Sequence, residues 1–166
     1  MAGTTVKRSE FATYVNISSG SVASYALLGD GITAASINYN PQTNEEIYIH
    51  ETSGTTQVES YKPTMPIDAT MKINDDVQDF IDTMRQARAV LGDAETDIVN
   101  VWLYETPTGS GSAAQYPAEQ QDVSVQFESF GGDAGTGAKT NFTFNFLGDP
   151  VIGKFNPTSK EFTPDA

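Results

Sequence analysis

Residues that could carry out chemistry are few in this chain. His50 is the single histidine, and cysteine is absent. A nucleophilic triad needs a histidine that other side chains orient, and a zinc centre needs several His or Cys ligands. His50 lies in the alternating stretch Glu45–Glu51, where a surface or interface position is the simpler interpretation. We therefore expect no catalytic residue, no cofactor-binding residue and no metal ligand.

Paired carboxylates offer a second route to catalysis. Glu45 and Glu46 are adjacent and could be considered as the acid and base of an enzyme built on a β scaffold. Neighbouring residues on a strand point to opposite faces of the sheet, so the two carboxylates would not share one site. An enzyme is therefore the weakest of the functional hypotheses.

Two other stretches resemble ligand sites. Gly131–Gly137 is rich in glycine, but a phosphate-binding loop precedes a helix, and here the alternating segment Lys139–Leu147 follows. A hairpin turn is the better interpretation. Asn74, Asp75, Asp76 and Asp79 lack the order of an EF-hand, and helix capping accounts for them without a metal.

The acids belong to the start of the one clear helix, Asn74–Gly92. Its apolar residues recur at helical spacing, with Asp75 or Asn74 as N-cap, Asp75 and Gln78 at capping-box spacing, and Gly92 as the residue that ends it. The apolar face is Val77, Phe80, Ile81, Met84 and Leu91. Arg88 projects almost from the centre of this face. It either extends to the edge of the core or forms an ion pair across an intramolecular or subunit contact.

Alternating apolar residues predict roughly eight to ten strands in the remaining sequence. The principal candidates are Phe11–Ile17, Ile32–Asn40, Glu45–Glu51, Thr55–Tyr61, Met65–Ile73, Asp97–Tyr104, Asp122–Phe130 and Lys139–Leu147. The short apolar run Tyr25–Leu28 and the short terminal segments Val151–Phe155 and Glu161–Thr163 are the remaining candidates. Asn40-Pro41 and Gly148-Asp149-Pro150 are expected to end the strands that precede them. Trp102 is expected to lie in the core. The fold class is mainly β, sandwich or barrel-like, with a single flanking α-helix at about residues 75–91.

Composition limits the possible partners. The chain has 22 acidic and 9 basic residues and a net charge of −13, which disfavours tight binding of nucleic acid. Met1–Glu10 is polar, so a signal peptide is not expected, and no long apolar run predicts a membrane span.

Several stretches occur together in a characteristic order. They are Leu28–Thr33 followed by Ile37–Glu46, Tyr61-Lys62-Pro63, the acidic helix start with Phe80-Ile81 and Arg85, Gly148–Gly153, and Phe162-Thr163-Pro164. Nearly the whole chain thereby resembles the tail tube (major tail) proteins of bacteriophages with long, non-contractile tails. Family members often carry Gly-Asp before the helix, where this chain has Asn74-Asp75-Asp76.

The resemblance implies a single domain over residues 1–166 that forms hexameric rings, which stack into a tube around a channel for DNA. It implies no enzymatic activity, no cofactor and no membrane contact, with the tape measure and other tail proteins as partners. The location implied is the virion tail, after assembly in the host cytoplasm. The candidate bridges between rings are Met1–Glu10, Asn40–Glu46, Glu105–Ala118 and Phe155–Ala166. A carbohydrate-binding β-sandwich module, with Trp102 and tyrosines stacking on sugars, is the alternative.

Overall fold

The computed structural model describes residues 2–166, which contain ten β-strands and one α-helix. The strands are β1 (Phe11–Asn16), β2 (Tyr25–Leu27), β3 (Ile32–Ala35), β4 (Pro41–Glu46), β5 (Thr55–Tyr61), β6 (Thr64–Thr70), β7 (Glu95–Trp102), β8 (Tyr116–Gly131), β9 (Lys139–Asn156) and β10 (Glu161–Pro164), and the helix α1 is Asp76–Ala87. The predicted mainly-β fold class with one flanking helix is confirmed.

One antiparallel sheet organises the chain. Its strand order is β2-β1-β7-β8-β9-β6-β3, and β10 pairs with the far half of β9. The sheet curls into half a barrel, and β4 and β5 form a separate two-stranded sheet. The hairpin predicted around the glycine turn at residues 131–137 is confirmed, because β8 and β9 flank that turn and pair along their length.

The helix lies on one face of the sheet. Its buried residues Val77, Ile81 and Met84 recur at the predicted spacing and pack against an apolar layer from five strands. That layer contains Val15, Met65, Ile67, Ile98, Val123, Val125, Phe142 and Phe144. The alternation predicted for β8 and for the first half of β9 therefore identified a true core face, and each buried side chain contributes about 1.5–3 kcal/mol.

The helix is shorter than predicted and ends differently. Arg88 adopts the left-handed conformation, with φ 48° and ψ 51°, and the Ala89 N–H donates to the Met84 carbonyl oxygen at 3.1 Å. This is a Schellman ending with arginine where glycine is usual. The predicted roles of Gly92 as C′ residue and of Leu91 on the apolar face are wrong, since Leu91 is exposed. Arg88 is likewise exposed and does not lie at the centre of that face.

A second apolar cluster lies on the opposite face of the sheet. Phe155 is fully buried there, with ring centroids 4.4 Å from Tyr14 and 5.9 Å from Tyr25. Val99, Val101 and Ala118 complete the cluster. Because both faces of β7 are covered, the consecutive residues Ile98 and Val99 are both fully buried, one on each face. Trp102, at its end, is only half-buried, so the prediction that it lies in the core is wrong.

The predicted break at Gly148-Asp149-Pro150 is a bulge inside one long strand. Gln120 pairs with Val151 and Asp122 with Leu147, so these three residues stand opposite Gln121 alone. Gln121 is buried, and its Nε2 donates to the carbonyl oxygens of Leu147 at 2.8 Å and Gly148 at 3.2 Å. The side chain thus donates to backbone acceptors at the bulge, where the ladder is locally interrupted.

Other predicted bounds also shift. Asn40–Glu46 is not a loop, since Pro41–Glu46 is strand β4, and the Glu45–Glu51 strand is wrong because β4 ends at Glu46. The β-like stretch Ile32–Asn40 is strand only to Ala35, and β6 ends at Thr70, which leaves Ile73 exposed.

The three predicted connecting segments differ in how they attach to the domain. Met1 lies outside the described residues, and Arg8 fixes the end of the N-terminal segment by donating to the Ala35 carbonyl oxygen at 3.1 Å. The loop predicted at residues 105–118 ends earlier, because β8 begins at Tyr116, and a Thr108–Gln115 bridge closes it. The C-terminal segment 155–166 pairs with its own chain through β10.

Candidate interaction surfaces

The β4–β5 hairpin, residues 41–61, stands off from the rest of the fold. Every residue of its two strands is exposed, and among residues 2–166 these strands pair with no other strand. It joins the main sheet through a narrow base, where Asn38 and Thr64 exchange backbone hydrogen bonds of 2.8 and 2.9 Å. A lone two-stranded hairpin is marginally stable in water, so this hairpin gains little stability from the rest of its own chain.

The tip of the hairpin is apolar and acidic. Ile47, Tyr48 and Ile49 are exposed there, between Glu45 and Glu46 on one side and Glu51 on the other. We call residues 45–51 the hairpin tip. The hydroxyl of Tyr48 donates to Glu46 Oε2 at 2.7 Å, and its ring stacks on His50 at 6.3 Å between centroids. His50 is exposed at the tip, and residues 41–61 carry four glutamates and no lysine or arginine.

A groove of about 860 Å³ separates the hairpin from the main sheet. Tyr39 and Tyr61 line it, with rings in an edge-to-face arrangement at 6.4 Å, and Glu119, Gln121 and Phe146 form other parts of its wall. These residues come from separate segments that only the strand pairing brings together. Tyr61-Lys62-Pro63 and Gly148-Asp149-Pro150, singled out in the sequence, both contribute to the groove, but nothing in the sequence indicates that they meet.

Glu119 is the acid of this groove. It accepts from Asn100 Nδ2 at 3.3 Å, and Asn100 in turn accepts from the Thr13 hydroxyl at 2.9 Å, so three neighbouring strands share one polar chain. Burial raises the pKa of Glu119, and the hydrogen bond from Asn100 partly opposes that shift. Burial and the charge of Glu119 also raise the pKa of Tyr39. The groove therefore disfavours negative charge on both groups.

The sheet face opposite the helix carries a band of carboxylates. The strand register places Asp68, Glu95, Asp97, Asp122 and Glu128 on this face, which we call the acidic sheet face. Lys139 is a basic residue at its hairpin end, with Nζ 3.0 Å from the Thr70 hydroxyl.

Asp97 is the most constrained acid of this face. It accepts from Tyr25 Oη at 2.6 Å, from Asn16 Nδ2 at 2.8 Å and from Gln120 Nε2 at 3.0 Å. Burial first, and then this carboxylate, raise the pKa of Tyr25 far above its usual range. The network fixes one end of the acidic sheet face against the second apolar cluster.

The end of the helix carries two arginines, two aspartates (Asp82 and Asp93) and exposed apolar residues. Arg85 donates through Nε to Asp82 Oδ1 at 2.9 Å, and its guanidinium carbon lies 3.9 Å from the centroid of the Phe130 ring. Arg88 forms no ion pair within residues 2–166, and exposed Val90 and Leu91 follow it. We call Arg85, Arg88, Val90, Leu91 and Phe130 the helix-end patch.

The other stretches considered from sequence have structural roles. Asp75 caps the helix by accepting from the Gln78 N–H at 3.0 Å. Gln78 does not complete a capping box, since its side chain turns into the protein. The glycine stretch 131–137 is the β8–β9 turn. Within residues 2–166 no cluster of three or more His, Asp or Glu side chains is placed to hold a metal ion, and no helix there is long and apolar enough to cross a membrane.

Comparison of the chain with protein-family models finds no match, and comparison with curated proteins finds none either.

Proposed function

We propose that this protein is the structural subunit of a bacteriophage tail tube. Six copies form a ring, rings stack around a channel through which DNA passes, and the subunit has no catalytic activity. It assembles in the host cytoplasm, ends in the virion tail, and contacts the tape measure and other tail proteins there. The proposal joins the ordered sequence features that resemble this family to three properties of the subunit surface.

The observation that carries the proposal is the exposed β4–β5 hairpin. Every residue of its strands is exposed, and its tip exposes Ile47, Tyr48 and Ile49. Such a patch on an otherwise polar element marks a surface that another molecule covers. A subunit that is completed by its neighbours needs an element of this kind.

Open sheet edges support the same conclusion. Within residues 2–166, β2 pairs with β1 alone and β3 with β6 alone, so each end of the curled sheet has free backbone groups. Exposed edges promote uncontrolled aggregation unless they are covered or paired. Pairing in a closed ring of identical copies removes the edges and fixes the number of copies.

The acidic sheet face suits the wall of a DNA channel. Asp68, Glu95, Asp97, Asp122 and Glu128 lie on one face of continuous sheet, and the chain as a whole carries −13. A negative wall repels phosphates, so DNA slides along it without binding. We propose that this face lines the channel and that the helix faces outward.

Electron microscopy of the concentrated protein tests the proposal. Hollow rings or filaments are the expected result for the natural chain. The matched variant replaces residues 42–60 with two glycines, which removes the hairpin. Because the hairpin contributes to neither apolar cluster, this variant should keep its fold but lose the rings. A natural chain that stays monomeric at millimolar concentration, even with purified tail initiator proteins, would contradict the proposal.

A carbohydrate-binding module is the second candidate, and the groove is the observation that favours it. Tyr39 and Tyr61 expose aromatic rings beside Glu119, and half-buried Trp102 lines a neighbouring depression with Tyr39 and Tyr104. Aromatic rings with adjacent polar groups are the usual lining of small-molecule sites. Monomers whose tryptophan fluorescence changes on titration with glycans would favour this function over the tube.

A further inference from the structure

We propose that the hairpin tip of one copy docks on the helix-end patch of a second copy. This contact rests on the proposed tube function, and it names the surface that receives the hairpin. The two surfaces are complementary in charge and both expose apolar side chains, and the backbone of the patch has an uncommon conformation.

The two surfaces are complementary in charge. The tip contains Glu45, Glu46 and Glu51, and the whole hairpin lacks lysine and arginine. The patch contains Arg85 and Arg88, two of the three arginines in a chain with only nine basic residues. Arg85 is already engaged by Asp82, whereas Arg88 is exposed and forms no ion pair within the described chain. Arg88 is therefore the cation that can receive a glutamate of the tip.

The two surfaces also match in apolar character. Ile47 and Ile49 project from the tip, and Val90 and Leu91 are exposed at the patch, where Leu91 is 84% exposed. A depression of about 610 Å³ between the helix end and β8 adjoins them, lined by Arg85, Arg88, Ala89, Val90 and residues 125–130. Glu128 also lines this depression, but its carboxylate belongs to the acidic sheet face on the other side of β8, where it accepts from Gln126 Nε2 at 2.6 Å. The depression can therefore take an isoleucine side chain beside a basic rim.

The backbone holds the patch in an uncommon conformation. Arg88 and Leu91 have φ of 48° and 51°, a region that side-chain-bearing residues rarely adopt. Glycine would remove this cost at either position, as it does at most helix ends of this type. The sequence instead places a cation and an exposed leucine there, which is explained if both side chains contact a partner.

Docking of this kind is head-to-tail. The tip and the patch are different surfaces, so a copy whose tip is docked still offers its patch to the next copy. Such heterologous contacts generate rings or filaments, whereas a tip-to-tip contact would stop at a dimer. The inferred contact therefore produces the type of assembly that a tube requires.

Thiol cross-linking tests the contact, because the natural chain contains no cysteine. Ile49→Cys and Leu91→Cys proteins are mixed in equal amounts, treated with a short bis-maleimide, and analysed by mass spectrometry. The 49–91 linkage should exceed the symmetric 49–49 and 91–91 linkages by about fivefold, the factor supplied by one exposed ion pair at the upper end of its range. In the control, Val22→Cys, which is 79% exposed, replaces Leu91→Cys and should show no such excess.

Two variants at Arg88 separate docking from folding. Arg88→Gly removes the charge but suits the left-handed conformation, so it should unfold at the same or higher urea concentration while it loses the excess of 49–91 linkage. Arg88→Glu should lose that excess as well, and Glu45→Lys with Glu46→Lys on the tip should restore it. A 49–91 excess that persists in Arg88→Gly would overturn the proposed contact.

Electron microscopy of the natural chain at millimolar concentration, with purified tail initiator proteins, distinguishes this contact from the tube function. Rings without a 49–91 excess overturn the contact and leave the tube proposal standing. A 49–91 excess without rings supports the contact and counts against the tube. If neither is observed, both proposals are wrong.

Discussion

Gln78 links the helix to the sheet, and its replacement by alanine provides a sharp test of how the helix is positioned. Its side chain is buried, accepts from the Lys72 N–H at 3.0 Å, and donates to the carbonyl oxygens of Asp30 at 2.6 Å and Thr70 at 3.2 Å. One side chain thereby binds the β2–β3 turn, the end of β6 and the first turn of the helix.

Gln78→Ala leaves three backbone groups without this partner. At about 1 kcal/mol for each hydrogen bond, and with water reaching some of the exposed backbone, the free energy of unfolding should fall by roughly 2–3 kcal/mol. For a chain of this size that corresponds to a decrease of roughly 5–10 °C in Tm. Urea unfolding followed by circular dichroism measures the change, at a protein concentration where the subunit is monomeric.

The matched control is Gln86→Ala on the same helix. Gln86 is exposed and donates to Asp82 Oδ2 at 2.6 Å, so its loss should change the free energy of unfolding by less than about 0.5 kcal/mol. Gln78→Glu provides a second comparison, because it keeps the acceptor for Lys72 but turns a carboxylate toward two carbonyl oxygens. If Gln78→Ala costs no more than Gln86→Ala, the hydrogen bonds of Gln78 do not hold the helix in place.

Three further predictions concern stability. Gly31→Ala should lower the free energy of unfolding in the urea assay by more than ~1 kcal/mol, because Gly31 has φ 78° and a Cβ there would meet the Thr70 carbonyl oxygen. The control Gly92→Ala should be neutral, because a Cβ at Gly92 would meet nothing within 4 Å. Phe155→Ala should lower the free energy of unfolding by about 3–5 kcal/mol, because the ring is fully buried. The near-ultraviolet circular dichroism of the variant should also be weaker than that of the natural protein. Burial raises the pKa of Glu119, so stability that is complete below the unfolded pKa of about 4.3 is lost as pH rises through the folded pKa. Glu119→Gln should remove that loss. This reasoning would be contradicted if the urea midpoints of the natural protein and of Glu119→Gln differed by the same amount at pH 4 as at pH 7.

The sequence predicted best where burial follows a simple period. Val123 and Val125 on β8 and Phe142 and Phe144 on β9 alternate with polar residues, and all four lie in the core beneath the helix. The helix N-terminus was also predictable, because Asp75 caps it through a local hydrogen bond. Both features depend on neighbours within a few residues along the chain.

Predictions failed where distant contacts decide the conformation. Gly92 suggested where the helix ends, but the helix ends earlier, at the left-handed Arg88, and the next residue, Ala89, is partly buried against the core. Gly148-Asp149-Pro150 suggested a break, but Gln121 satisfies the bulge and the strand continues. Neither Ala89 nor Gln121 is conspicuous in the sequence.

The candidate surfaces were predictable only in part. Exposed Ile47 and Ile49 could not be told from core residues by alternation, because a strand with one buried face has the same pattern. Arg88 was singled out for a position at the centre of the apolar face that it does not occupy, and its left-handed conformation at the helix end could not be read from the sequence. The groove around Glu119 was missed, because its walls meet only after β8 and β9 have paired.

The long β8–β9 pair has a mechanical consequence. Its fourteen paired positions run beneath the helix at one end and behind Phe155 at the other, so both apolar clusters are fastened to the same two strands. A force along these strands would have to shear many rungs at once, since they cannot open one after another. The subunit should therefore resist a stretching force along β8 and β9 strongly. The β4–β5 hairpin, which is attached only at its narrow base, should bend under a much smaller force.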